Sequence, residues 1–179
     1  MAVTLIVEDG TGVANANVYD TFAATTSYMH DHGYDWAESP QEDEQLTAMI
    51  RGAAALDRLY GGKLEGKKVG GRGQSLLFPR ENMTDASGEE IADNEVPKEW
   101  KTAFYELSWR EYSEPGSLSP DYVQTQRTVS ETLGPLSVTY SSSDRGSEDA
   151  QPVLTQIDGI LASLIGSTSV SLFGTAVRI

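Results

Sequence analysis

Cysteine is absent from this 179-residue chain. That excludes disulfides and thiolate metal sites and is compatible with an intracellular life. Histidine is nearly absent too, with only His30 and His32 standing two apart at an expected helix end. They point to different faces, cannot jointly hold a metal from a helix, and read as surface residues. Positive charge is scarce, since 13 Lys and Arg face 27 Asp and Glu to leave a net charge of −14. Such a field repels a phosphate backbone unless a basic patch is segregated from it. Long apolar runs are missing as well. The longest uncharged stretch, the nineteen residues from Gly159 to Val177, holds six Ser or Thr and three Gly, a composition that inserts poorly, so no membrane span is expected. The first residues carry no basic region followed by an apolar core, and no signal peptide is expected.

Catalytic machinery is lacking in the same way. There is no Gly-x-Ser-x-Gly elbow, and neither His is placed with a Ser and an Asp as in a triad. Gly70-Gly71-Arg72-Gly73 lacks the Gly-Lys-Ser/Thr ending of a P-loop and the strand and acid of a dinucleotide site. Paired acids such as Glu89-Glu90 diagnose nothing in a chain this acidic. Asn82-Met83-Thr84 fits a glycosylation acceptor, which has meaning only in a secreted protein. The expectation is a protein that is not an enzyme and uses neither cofactor nor metal.

What is present is a helical pattern. Hydrophobic residues make up 39% and charged ones 22%, enough for one domain, or one with an appendage, around a core. Val3 to Val7 reads as a short strand ended by the turn at Glu8 to Gly12. Asp20 or Thr21 caps a helix to about His32, with Phe22, Tyr28 and Met29 facing the core and Gly33 as its stop. Trp36 in the following bridge reads as buried cover. Ser39, Pro40 and Glu42 form a capping box that opens a second helix. Its apolar stripe is Leu46, Met49, Ile50, Ala53, Leu56 and Tyr60, and Gly61-Gly62 ends it. Arg51, Asp57 and Arg58 lie off that stripe, on a face expected to be solvated. Pro97 opens a third helix with Trp100, Ala103, Phe104 and Leu107 as core residues, broken at Ser113-Glu114-Pro115-Gly116. Leu136, Val138 and Tyr140 alternate with polar neighbours, a strand expected to pair with the stretch around Arg127 to Thr132. Pro152 starts a last helix with Val153, Ile157, Ile160, Leu161 and Leu164 on one face, followed by a strand-like tail from Thr168 to Ile179. The fold class is mainly α: a small bundle of three to four helices with a protruding β-hairpin and a C-terminal strand-like tail. Three parts are expected: a helical body with an N-terminal strand over 1–120, a hairpin and flexible loop over 121–150, and the final helix and tail over 151–179.

Charge is segregated between the second and third helices. Residues 58 to 80 hold Arg58, Lys63, Lys67, Lys68, Arg72 and Arg80 against Glu65 alone, whereas residues 81 to 99 hold seven acids against Lys98. The two runs adjoin, so they neutralise each other or meet complementary faces of adjacent subunits.

The order of several motifs resembles a known family. Ala53, Leu56, Asp57 and Tyr60 on one helix are followed by a Gly-rich basic loop and then by Gln74, Leu76, Phe78, Pro79 and Arg80. Asn17-Val18-Tyr19 precedes the first helix, Val96-Pro97 opens another with Ala103 and Glu106-Leu107 inside it, and Leu133 to Val138 is followed by Tyr140. This pattern resembles small proteins of tailed-phage head modules, often labelled DnaT-like single-stranded-DNA-binding, whose usual role is that of head-to-tail connector or adaptor. The resemblance implies a dodecameric ring beneath the portal, joined to the portal protein and to the next neck or tail-terminator protein. DNA would pass the lumen without specific binding. Such a protein would be made in the host cytoplasm and reside in the neck of the virion. Candidate portal or ring contacts are Lys63, Lys67, Lys68, Arg72, Phe78, Arg80, Val138, Tyr140, Val170, Leu172 and Ile179. Leu76 to Arg80 has two possible jobs: packing against the second helix with Phe78 and Leu77 in the core and Arg80 paired to an acid such as Asp57, or reaching the portal. The alternative function is single-stranded-DNA binding through the basic loop 58–80, which would need exposed aromatics that the loop supplies only at Phe78.

Overall fold

The computed structural model describes residues 3–37, 43–119, 130–133, 136–139 and 154–165, the two short segments at 130–139 as backbone only. Among these, the elements in chain order are α1 (Phe22–Asp31), α2 (Glu44–Tyr60), β1 (Lys67–Lys68), β2 (Arg80–Glu81), β3 (Met83–Thr84), β4 (Glu90–Ile91), α3 (Lys98–Ser113), β5 (Ser130–Leu133), β6 (Leu136–Thr139) and α4 (Thr155–Ile165). Single turns of 3₁₀ helix at Gly61–Lys63 and Gly71–Gly73 flank β1. The fold is mainly α, with antiparallel two-stranded pairs β1–β2, β3–β4 and β5–β6. In the last, Ser130 lies opposite Thr139 and Leu133 opposite Leu136, which is the expected hairpin. Val138 lies in β6. Tyr140, the 151–153 start of the last helix and the tail from 166 onward lie outside the described residues.

Local chemistry sets most helix ends. Thr21 caps α1, its hydroxyl accepting from the Ala24 amide at 3.1 Å, the oxygen-to-backbone bond that an N-cap supplies. Pro97 stands at the N-cap of α3, and that helix stops at Ser113 before Pro115, as expected. One expectation is corrected and one cannot be placed. Helix α2 runs over Glu44–Tyr60 with Asp43 in the left-handed region at φ 64° before it, while Ser39, Pro40 and Glu42 of the expected capping box lie outside the described residues. The N-terminal stretch forms only a single parallel bridge, Val7 to Val18. No ladder grows from it because its partner is a loop that turns at Asn15, φ 60°. The Asn17 side chain stands in for the missing strand, accepting from the Ile6 amide at 2.7 Å and donating to the Thr4 carbonyl at 2.9 Å.

One core joins the four helices. Tyr19, Met29, Met49, Leu56, Phe78, Trp100, Phe104, Leu107 and Leu161 are fully buried within a single cluster, and each such side chain is worth roughly 1.5–3 kcal/mol. The core stripe of α2 is rotated from the expected one: Gln45, Ala48, Gly52 and Ala55 are buried, while Leu46 is only half-buried. The reason is the crossing with α3. A Cβ on Gly52 would come within 2.8 Å of the Ser108 amide and hydroxyl, so small residues on this side let the helices approach closely. Helix α4 belongs to the same core through Ile157, Leu161 and Leu164. It is tied down by Tyr60, which donates to Asp158 at 2.9 Å, and by the Ala86 amide, which donates to the Ser163 carbonyl at 3.0 Å. Among the described residues no helix is long and apolar enough to cross a membrane.

Candidate interaction surfaces

The basic loop is built around residues 74 to 80. Gln74 is buried, and its amide group donates to the carbonyls of Leu76 and Pro79, both at 3.0 Å, while its side-chain oxygen accepts from the Gly70 amide at 2.9 Å. Lys68 donates to the Gln74 carbonyl. Arg80 is 7% exposed and spends its guanidinium on the carbonyls of Glu65 and Gly66, each at 2.7 Å, and of Leu77 at 3.4 Å. Arg80 does not pair with Asp57, so that expectation is corrected: the loop's own carbonyls lie nearer and need donors. Phe78 is fully buried, packed 5.0 Å from the Trp100 ring, and Leu77 is half-buried. Of the two jobs weighed for Leu76 to Arg80, packing is the one the geometry carries. Phe78 and Arg80 therefore offer no surface to a partner, which corrects their place among the candidate contacts.

Asp57, expected on a solvated face, is instead the anchor of this loop. It accepts from the Tyr19 hydroxyl and from the Leu77 amide at 3.1 Å. Burial pushes its carboxyl up to about 6 against the opposing pull of those two donors and of the nearby Lys68 and Arg80 charges. The same burial, with Asp57 beside it, drives the Tyr19 phenol well above its ordinary range.

Three of the remaining bases, Lys63, Lys67 and Arg58, have local partners. Lys67 pairs with Glu81 at 3.0 Å, and Lys63 lies 3.9 Å from Asp158 and over the Tyr60 ring at 4.7 Å. Arg72 is exposed. Arg58, also exposed, donates to the Leu118 carbonyl at 2.7 Å and the Ser119 hydroxyl at 2.8 Å. The adjoining basic and acidic runs thus neutralise each other in part within the chain.

A second feature, which the sequence reading missed, is a half-buried stack of rings. Tyr28 and His32 stack at 3.9 Å, His32 and Tyr34 at 6.4 Å, and Tyr34 and Trp109 at 4.7 Å. Tyr28 and Tyr34 both donate to Glu106, at 2.7 and 2.8 Å, so a buried carboxylate fixes the base of the stack. Beside it lies a cleft of about 390 Å³ between α3 and α4, lined by Tyr34, Glu106, Trp109, Arg110 and Gln156 among others. Helical spacing at 28 and 32 was a signal for part of this stack, but Tyr34 and Trp109 meet only in the fold. His30 and His32 are exposed as expected, and their ring nitrogens lie 2.9 Å from the Trp36 carbonyl and 2.8 Å from the Tyr28 carbonyl. Among the described residues no group of His, Cys, Asp or Glu assembles to hold a metal ion.

A protein family described as "Putative DnaT-like ssDNA binding protein" matches residues 3–179. No curated protein and no solved structure matches the chain.

Proposed function

The chain belongs to this DnaT-like family, and within it we propose that it serves as a structural interaction subunit: the head-to-tail connector of a tailed phage. In this reading copies form a dodecameric ring beneath the portal and hand on to the next neck or tail-terminator protein, in the neck of the virion. The single observation that carries it is how the basic loop is spent. A single-strand groove needs free cations and exposed rings, yet Arg80 is occupied by three carbonyls, Phe78 is in the core and Lys67 is paired. The chain as a whole carries a net charge of −14, which suits protein contacts and a lumen that does not retain DNA.

The second reading, binding of single-stranded DNA, has two supports. One is the family's description. The other is the ring stack of Tyr28, His32, Tyr34 and Trp109 with Arg110 at the neighbouring cleft, a place other than the basic loop. One experiment separates them: light scattering of the purified chain with and without a portal ring, alongside titration with a labelled oligonucleotide. Co-migration with the portal and no oligonucleotide binding at moderate salt is the expected result. Tight, salt-sensitive oligonucleotide binding without portal association would establish the second reading instead.

A further inference from the structure

The N-terminal stretch has an open hydrogen-bonding edge. Backbone groups of alternate residues in an extended chain point to opposite sides. Those of Thr4, Ile6 and Glu8 turn toward the 15–18 loop: Thr4 and Ile6 carbonyls accept from Asn17, and the Glu8 amide donates to the Val18 carbonyl at 2.9 Å. Leu5 and Val7 therefore turn their N–H and C=O groups the other way, and no described residue bonds to them. Their side chains pack on the core while Ile6, on the opposite face, is 37% exposed. The result is an extended stretch with one side fixed and, among the described residues, one edge without a partner.

We infer that this edge takes an added strand from a second copy of the chain, supplied by its C-terminal segment 168–179. An exposed strand edge is a template for such pairing, with main-chain bonds giving affinity and alternate side chains giving fit. The segment has the required sequence: Ser169-Val170-Ser171-Leu172 alternates with period two, and Arg178 is the single charged side chain between Thr168 and Ile179. It brings no acid to a chain whose net charge is −14, so its approach is not opposed as that of most other segments would be. Val170, Leu172 and Ile179 thereby receive a defined role among the candidate contacts. This inference rests on the proposal that copies assemble with one another.

The absence of cysteine makes the test clean. Full-length Ile6→Cys is mixed with full-length Val170→Cys or Leu172→Cys under mild oxidation, with the exposed Val69→Cys as control. A disulfide between chains at position 6 but not 69 is expected, because directly opposed residues bring their Cβ atoms to about 4.5–5.5 Å. Adding Leu5→Pro to the Ile6→Cys chain removes an edge N–H and should abolish the cross-link. In the unsubstituted protein, amide exchange at Leu5 and Val7 should slow at least tenfold between dilute and assembled samples, a readout that does not depend on any variant folding. Equal cross-linking at 69, or unchanged exchange at Leu5 and Val7, would overturn the inference. Ring formation is read separately by light scattering: a ring with no 6–172 cross-link sinks this contact alone, and the cross-link in a chain that forms no ring sinks the connector reading alone.

Discussion

Asp57 shows how far a single residue can depart from its sequence environment. Read along the helix it is a polar position off the apolar stripe; in the fold it holds Tyr19 and the Leu77 amide. Its carboxyl is pushed up to about 6 by burial, above an unfolded value near 3.9. The folded chain therefore binds the Asp57 proton more tightly than the unfolded one. The stability this confers is present below about pH 4 and lost as pH rises through about 6, up to roughly 3 kcal/mol in all. Asp20 acts oppositely: burial raises its pKa, but bonds from Tyr105, the Thr21 amide and Lys101 outweigh it and lower the net value below 3.8, so its stabilisation is lost only in stronger acid. The two windows do not overlap. Urea denaturation of Asp57→Asn at pH 4.5 and pH 7 is expected to lose the slope between those values that the parent shows; an unchanged slope would assign it to another group.

Between elements, the acids of this chain do more than repel. Five tyrosines donate to four carboxylates that join separate segments: Tyr19 to Asp57, Tyr28 and Tyr34 to Glu106, Tyr60 to Asp158, and Tyr105 to Asp20. A carboxylate with a neutral donor at a half-buried position satisfies its charge at lower desolvation cost than a buried ion pair. Helix crossing depends on a different residue type. Gly52→Ala should gain about 1 kcal/mol of helix propensity, yet its Cβ would lie 2.8 Å from the Ser108 amide and 3.0 Å from its Cα. Because backbone cannot yield as a flexible side chain can, overpacking costs typically 1–3 kcal/mol and should win. Thermal melting of Gly52→Ala is expected to show a net loss; a raised midpoint would mean that α2 and α3 slide apart without penalty.

At the scale of the molecule, the question is whether the exposed bases serve a nucleic acid. Lys63, Lys67 and Arg72 are surface residues, so replacing all three with Ala should change stability by no more than about 0.5 kcal/mol each. Under the connector reading the triple variant also leaves oligonucleotide titrations as flat as those of the parent. A parent affinity that falls with salt and disappears in the variant would restore the basic loop as a DNA site.

Much of this architecture was legible beforehand. Apolar spacing located α1, α2, α3 and α4, Thr21 and Pro97 marked their starts, and period-two alternation around Leu136 placed the hairpin that pairs Ser130–Leu133 with Leu136–Thr139. These signals are local, carried by residues within one or two turns of each other. The misses have one physical origin. Glu8, 1% exposed, folds its carboxylate onto the Gly10 and Gly12 amides. Glu111 closes the turn after α3 on the Gly116 and Leu118 amides, and Glu106, Gln74 and Arg80 are likewise buried. No period announces such residues, because a polar group can be buried only where partners for it are brought within reach. The Tyr34–Trp109 stack also arises from segments distant in the chain. Sequence by itself determined the four helices and the hairpin, because their signals are local; tertiary structure alone decided which charges were spent inside the molecule, because their partners come from distant segments.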